Sequence, residues 1–341
     1  MGWEYVEYEE GSADSPQPKI VVVGCGGGGC NSVHRLNEIG IHCAETIAIN
    51  TDRPHLSRIR AHRRLLIGQG VTNGCGAGAD PLVGRLCAEN AVPEISKLLQ
   101  GAELTFITVG LGGGTGTGLA PVVADVAKRQ GSVVVTIATT PFEVEGFRNK
   151  IALKGVRDLR GLSDTTLLLD NNRLLELVAN LPVQQAFAVM DQLISEIIKG
   201  MVEAITEPSL INLDFADLRT VIKKGGISTV LYGENSDPDS VVKDALSNPL
   251  LDVDISGATG ALVHITGGTN LTLKKVNKVM QRVQSFMDPH ANVIFGARVD
   301  EKFEGSIRLM AVITGIAELS DEGPGIELAD EIDGLAIKYT T

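Results

Sequence analysis

Aromatic residues make up only 4% of the 341-residue chain, with a single tryptophan, so it offers no stacking platform for single-stranded bases. Basic excess is missing as well. Lys and Arg number 30 against 42 Asp and Glu, and the net charge of −12 argues against a nucleic-acid surface and for high solubility. The five cysteines (Cys25, Cys30, Cys43, Cys75 and Cys87) are odd in number and form no C-x-x-C pair. They read as small buried thiols in a reducing cytoplasm, not as disulfides. The six histidines show no metal-ligand spacing. No apolar run reaches the roughly 18 residues of a membrane span. Residues 1–18 are acidic where a signal peptide is basic, and read as a flexible arm. No G-x-x-x-x-G-K-[ST] occurs, which removes the P-loop NTPases.

Glycine, in contrast, is abundant, at 39 residues. Five fall within Gly112-Gly113-Gly114-Thr115-Gly116-Thr117-Gly118, directly after the apolar run Leu104–Val109 and before helically spaced apolar residues from Leu119 to Ala127. Strand, glycine loop and helix start together present backbone N–H groups and a helix dipole to an anion, and glycine removes the Cβ from its path. A bulky side chain at Gly114 is therefore expected to fill phosphate space. A second glycine stretch, Gly24–Asn31, follows the strand beginning at Lys19 and precedes a helix to about Ile39. It contains a formal G-x-G-x-x-G, by itself a weak dinucleotide signal, and Asp52 after the next strand could pose as the ribose-binding acid. Two such loops on strand ends suggest one phosphate chain gripped from two sides. A third run, Gly74-Cys75-Gly76-Ala77-Gly78-Ala79-Asp80-Pro81, ends in an N-cap aspartate with proline at the first helical position.

Strands at 133–139 and 165–169 alternate with helices, which predicts an α/β, Rossmann-like, doubly wound parallel sheet with ligands at the carboxyl ends of its strands. Residues 19–182 form this nucleotide-binding domain. From Val183 to Glu207 the apolar residues Val183, Phe187, Met190, Ile194, Ile197, Met201 and Ile205 trace one long helix buried on more than one side, a spine for what surrounds it. With the loop beyond it the spine spans 183–222. Asp214 there is a plausible N-cap with Asp217 in its first turn, so capping and a chemical role compete on spacing alone. A second α/β domain over 223–319 has strands at 227–232, 261–266, 292–297 and 307–314 and shows no catalytic cluster. Residues 320–341 form a flexible acidic tail.

Taken in order, Gly26–Asn31, Asn50-Thr51-Asp52, Gly76-Ala77-Gly78, Gly112–Gly118, Pro141-Phe142 with Glu145-Gly146, and Asn212-x-Asp214-Phe215-Ala216-Asp217 resemble the FtsZ family, the tubulin-like cell-division GTPases of bacteria and archaea. The resemblance covers about residues 19–319. It implies that Gly26, Gly27, Gly28, Asn31, Gly112, Gly113, Gly114, Thr115 and Gly116 hold the phosphates of GTP or GDP, with Gly76, Ala77 and Gly78 near the γ-phosphate. By the same resemblance Glu145 and Arg148 lie at the ribose side, Asn149 taking the next place after Arg148. Asn171 and Asp191 read the guanine edge, and Phe187 stacks on its face. A carboxylate suits guanine because it accepts from N1–H and the exocyclic amine together. Asn212, Asp214 and Asp217 polarise the attacking water, and Mg²⁺ is held mainly by phosphates and water. Asp80 stands where the family more often has Asn and is left out of the ligands.

If Phe187 and Asp191 lie at the guanine, Val183 to Glu207 runs away from the nucleotide, its twenty-five residues spanning roughly 37 Å, so the loop at its far end must serve a neighbour's nucleotide. That predicts a head-to-tail homopolymer with hydrolysis in trans, in the cytoplasm at the division site. The C-terminal tail, ending in Gly334–Tyr339, resembles a peptide for a membrane-anchor protein only in being short and partly apolar. Three other readings compete: a tubulin-like filament for cell shape, a non-hydrolysing nucleotide-binding scaffold, and an NAD-dependent oxidoreductase. The last wastes Gly112–Gly118 and lacks a catalytic histidine.

Overall fold

Short β-branched runs buried on both faces form the strands, and glycine, proline and aspartate punctuate them. The computed structural model describes residues 17–316 apart from 179, 208, 212–213, 224–226 and 248–254. The chain opens with β1 (Ile20–Cys25), α1 (Gly26–Ile39), β2 (Ala44–Asn50), α2 (Arg53–Arg58), β3 (Arg63–Leu66) and α3 (Gln69–Thr72). Next come α4 (Pro81–Asn90), α5 (Val92–Leu99), β4 (Leu104–Gly110), α6 (Thr115–Arg129), β5 (Val133–Thr140), α7 (Phe147–Leu162), β6 (Thr165–Asp170) and α8 (Asn172–Val178). The long α9 (Val183–Thr206) leads to α10 (Phe215–Ile222) and β7 (Ile227–Asn235). The last part holds α11 (Pro238–Leu246), β8 (Gly260–Gly267), α12 (Leu273–Gln284), β9 (Asn292–Val299) and β10 (Ile307–Thr314).

The strands lie in the order β3-β2-β1-β4-β5-β6-β7-β10-β8-β9. All pairs from β3 through β7 are parallel, as the alternation of strands and helices predicts. The strand order reverses between β1 and β4, the switch point at which such sheets open a crevice at their carboxyl ends. Along β1, Ile20 and Val22 join the core under α1 and α9, while Val21 and Val23 join the core under α5 and α6. Both faces are thus covered, as a parallel sheet requires.

Two features depart from the sequence reading. Gly26–Gly29 is not a loop: α1 starts at Gly26, so the glycines occupy its first turn. A Cβ on Gly29 would sit 2.1 Å from the Thr108 carbonyl oxygen, and one on Gly24 2.4 Å from the Gly29 carbonyl oxygen. Glycine here lets the helix lie directly on β1 and β4. The second departure concerns the sheet, which does not stop before the later elements: β7 pairs with β6 through Thr166–Ile227 and Leu167–Ser228, and with β10 on its other edge.

Helix α9 is the spine the pattern predicts. Ile194, Ile197, Ile198, Met201 and Val202 are buried in one core with Ile20 and Phe106 on one side and Leu218, Val221, Val230, Leu262 and Val312 on the other. At about 1.5–3 kcal/mol for each fully buried aliphatic side chain, this stripe locks the two ends of the sheet to one rod.

Candidate nucleotide site

The carboxyl ends of β1, β4, β5 and β6 surround a cavity of about 420 Å³. Gly27, Gly28 and Asn31 line it from α1, Gly113, Gly114, Thr115 and Gly116 from the start of α6, Glu145 and Arg148 from the turn into α7, Asn171 from the end of β6, and Phe187 and Asp191 from α9. The N-termini of α1 and α6 therefore converge on one space, and a helix N-terminus favours negative charge. Gly27 and Gly113 have nothing within 4 Å of the position a Cβ would take, so both present bare backbone.

Gly26 and Gly112 act from behind. Gly26 (φ +70°) packs on Gly116, where a Cβ would lie 2.6 Å from the backbone nitrogen. Gly112 (φ +92°) donates its N–H to Thr117 Oγ1 at 3.0 Å. Gly76, Ala77 and Gly78 do not line the cavity. A Cβ at Gly114 would meet Asp80 N at 2.7 Å and the Ala77 Cβ at 3.0 Å. This corrects the expectation that a Gly114 side chain would enter phosphate space: it would strike the 77–80 turn instead, because the backbone faces the cavity with its other side. Thr115 Oγ1 shares a 2.6 Å hydrogen bond with Thr51 Oγ1, which ties the two loops together.

At the other end of the cavity the polar groups are buried. Ser32 Oγ donates to Asp191 Oδ1 at 2.7 Å. Burial outweighs that hydrogen bond and the nearby Arg35, and the carboxyl is pushed up to about 6. Asn171 is 8% exposed, and its Oδ1 is buried with no protein partner. A buried orphan amide beside a poorly solvated carboxylate is costly by itself and marks a place where a polar ligand completes the bonding. Phe187, 41% exposed, meets Phe142 edge to face at 5.6 Å between ring centroids.

Between Arg148 and Asn149 the geometry discriminates. Arg148 lines the cavity and pairs with Glu145 at 2.8 Å. Asn149 donates to the carbonyls of Phe142 and Glu143 at 3.0 and 3.2 Å, holding the turn. The sequence reading misses Ser32, Thr108, Thr139, Met190 and Ile194 as lining residues. Thr139 was accessible from the rule that ligands sit at strand carboxyl ends, whereas Met190 and Ile194 read as core.

Asp52 is no ribose ligand: its side chain caps α2, accepting from His55 N at 2.8 Å. Asp80 caps α4 as expected. All five cysteines are free thiols, but only Cys25, Cys30 and Cys87 are buried as expected, Cys43 and Cys75 being exposed; burial pushes Cys30 up to about 12. Asp214 and Asp217 lie far from the cavity. Asp214 caps α10, accepting the Asp217 N–H at 2.7 Å. Asn212 falls outside the described residues. Phe187 sits in the second turn of α9, and the helix from there to Thr206, on the way to this cap, spans about 29 Å.

Known proteins are similar to this chain over nearly all of the described residues. Residues 19–179 match the Tubulin/FtsZ family GTPase domain and residues 226–317 the FtsZ family C-terminal domain. Cell division protein FtsZ 2 of Halobacterium salinarum is 50% identical over 313 residues, covering 91% of this chain and 80% of that protein. An empty FtsZ dimer from M. jannaschii superposes with a TM-score of 0.85 at 43% identity, covering 93% of this chain and 95% of the other. A GTPγS-bound protofilament of CetZ2 from Haloferax volcanii shares the fold alone, with a TM-score of 0.76 at 24% identity over 88% of this chain and 93% of the other. With both of the family's domains matched in order and half the residues identical to a curated relative, the chain belongs to the FtsZ family of tubulin-like GTPases.

Proposed function

We propose that this GTPase binds guanine nucleotide in the cavity above α1 and α6, stacks head to tail into cytoplasmic filaments, and builds the division ring with hydrolysis completed across the subunit contact. The observation that carries the reading is α9. Its first turns bring Phe187 and Asp191 to the cavity, and its far end, about 29 Å along the helix from Phe187, leads on to Asp214 and Asp217. A residue at that distance serves only a neighbour's nucleotide, and a contact between unlike ends repeats without closing.

The orphan Asn171 Oδ1 and the raised Asp191 carboxyl fit a base with N–H donors on one edge, which guanine has and adenine lacks. The phosphates would lie over Gly27, Gly28 and Gly113–Gly116, whose backbone and helix N-termini supply fixed positive dipoles. Glu145 and Arg148 would hold the sugar side. Mg²⁺, bound through phosphates and water, would neutralise charge on the transferred group. From the next subunit, Asp214 and Asp217 with Asn212 would orient and polarise the attacking water. The tail beyond 319 would engage a membrane-anchor protein.

Mixing decides the trans reading. Asp214→Ala should bind GTP normally and join filaments, yet lose about 10²–10⁴ in rate at the contact it forms. With wild type held constant, adding the variant should lower turnover per wild-type subunit and lengthen filament lifetime. Unchanged turnover, with the variant present in sedimented filaments, would refute hydrolysis in trans.

A further inference from the structure

Beside the nucleotide cavity, across the Gly114 backbone, lies a second groove of about 360 Å³ between α4 and α7. Leu82, Pro121, Phe147 and Ile151 give it an apolar floor, with Arg85 and Lys154 at its edges. Leu82 is 70% and Phe147 74% exposed, unusual for side chains of this size on adjoining elements. Asp80 and Asp158 also border the groove, but Asp80 is engaged in capping Leu82 N. Helix α7 is strongly basic: Arg148, Lys150, Lys154, Arg157 and Arg160 are all exposed, against a single acid, Asp158. In a chain of net charge −12 this surface carries a local positive excess suited to an acidic, apolar partner.

The chain carries such a segment. Residues 1–16 hold Glu4, Glu7, Glu9, Glu10 and Asp14 and no Lys or Arg, with Trp3, Tyr5, Val6 and Tyr8 among the acids. Trp3 is the only tryptophan in the chain. The described chain begins at Gln17, whose Nε2 donates to the Thr206 carbonyl at 3.3 Å, at the last residue of α9. That end of α9 is the one facing the next subunit's nucleotide cavity in a head-to-tail stack, and the groove adjoins that cavity. Sixteen extended residues reach about 53 Å, ample for the crossing.

We propose that the acidic aromatic arm, residues 1–16, docks in the α4–α7 groove of the neighbouring subunit and acts as a strap across the filament contact. Trp3 and the tyrosines fill the groove floor and the glutamates meet the α7 cations. The inference rests on the head-to-tail reading above.

Two measurements test it. First, a fluorescein-labelled peptide of residues 1–16 is titrated with the nucleotide-free full-length protein. Saturable binding is expected, weakened at least tenfold by Phe147→Asp, by Lys154→Glu and by 0.5 M salt. No saturable binding, or binding indifferent to both substitutions, overturns the groove as its site. So does binding of a 317–341 peptide in its place. Second, Trp3 emission is followed during GTP-driven assembly. A blue shift should appear with the polymer and be absent in Phe147→Asp. Polymer without the shift overturns the strap, and a shift already full in dilute monomer shows that the arm folds onto its own subunit. Failure to polymerise at all refutes the head-to-tail reading, and the peptide titration still decides the groove.

Discussion

Replacing Asp191 by Asn should stabilise the nucleotide-free protein while damaging its function. Burial raises the Asp191 carboxyl from the usual 3.8 to about 6 despite the Ser32 hydrogen bond and Arg35. A carboxyl whose folded value is raised is harder to ionise in the fold than in the unfolded chain. Its penalty is therefore nil below the unfolded value, grows through the window from about 4 to 6, and is complete above it. The rise to about 6 corresponds to about 3 kcal/mol against the fold at pH 8, and to only about 0.5 kcal/mol at pH 4. Asn keeps the shape and an acceptor for Ser32 but never ionises. Urea unfolding of both proteins without nucleotide, at pH 8 and pH 4 (either side of the sequence pI ≈ 5.0), should give a gain of up to about 3 kcal/mol for the variant at pH 8 and almost none at pH 4. With GTP added the order should reverse, because the ionised carboxylate meets guanine N–H donors that an amide matches only in part. The variant should then discriminate poorly between GTP and ATP. An equal gain at both pH values would mean that Asp191 is not the strained buried acid described.

Gly113→Val places a side chain in open space on the cavity wall, so GTP affinity should fall at least tenfold by equilibrium titration with little change in the melting temperature. Gly29→Ala should instead unfold the protein, since its Cβ would sit 2.1 Å from the Thr108 carbonyl oxygen; circular dichroism of the purified variant checks this. Ile198→Ala, at a fully buried position of the core shared by both ends of the sheet, should cost about 2–5 kcal/mol in urea unfolding and leave the nucleotide contacts in place.

Most of the fold was legible because its signals are local. Apolar β-branched runs bounded by glycine named β1, β4, β5 and β6, aspartate caps named the starts of α4 and α10, and the wide apolar stripe from Val183 named α9. The continuity of β6 into β7 was not legible, since two paired residues on each strand leave no pattern in either segment.

What the sequence by itself determined was composition, element order, the anion-binding character of the glycine stretches and, through motif order, the family. Tertiary structure decided how each glycine works. Gly27 and Gly113 open onto the cavity, Gly24, Gly29 and Gly114 permit backbone-to-backbone contact, and identical residues in identical runs give no hint of which way the backbone turns. It also decided that Asp191 is buried at a cost, because its surroundings depend on Ser32 of α1 and Asn171 after β6 meeting α9 from distant parts of the chain. Residue spacing sets local geometry, while desolvation and close approach depend on what the rest of the chain brings alongside.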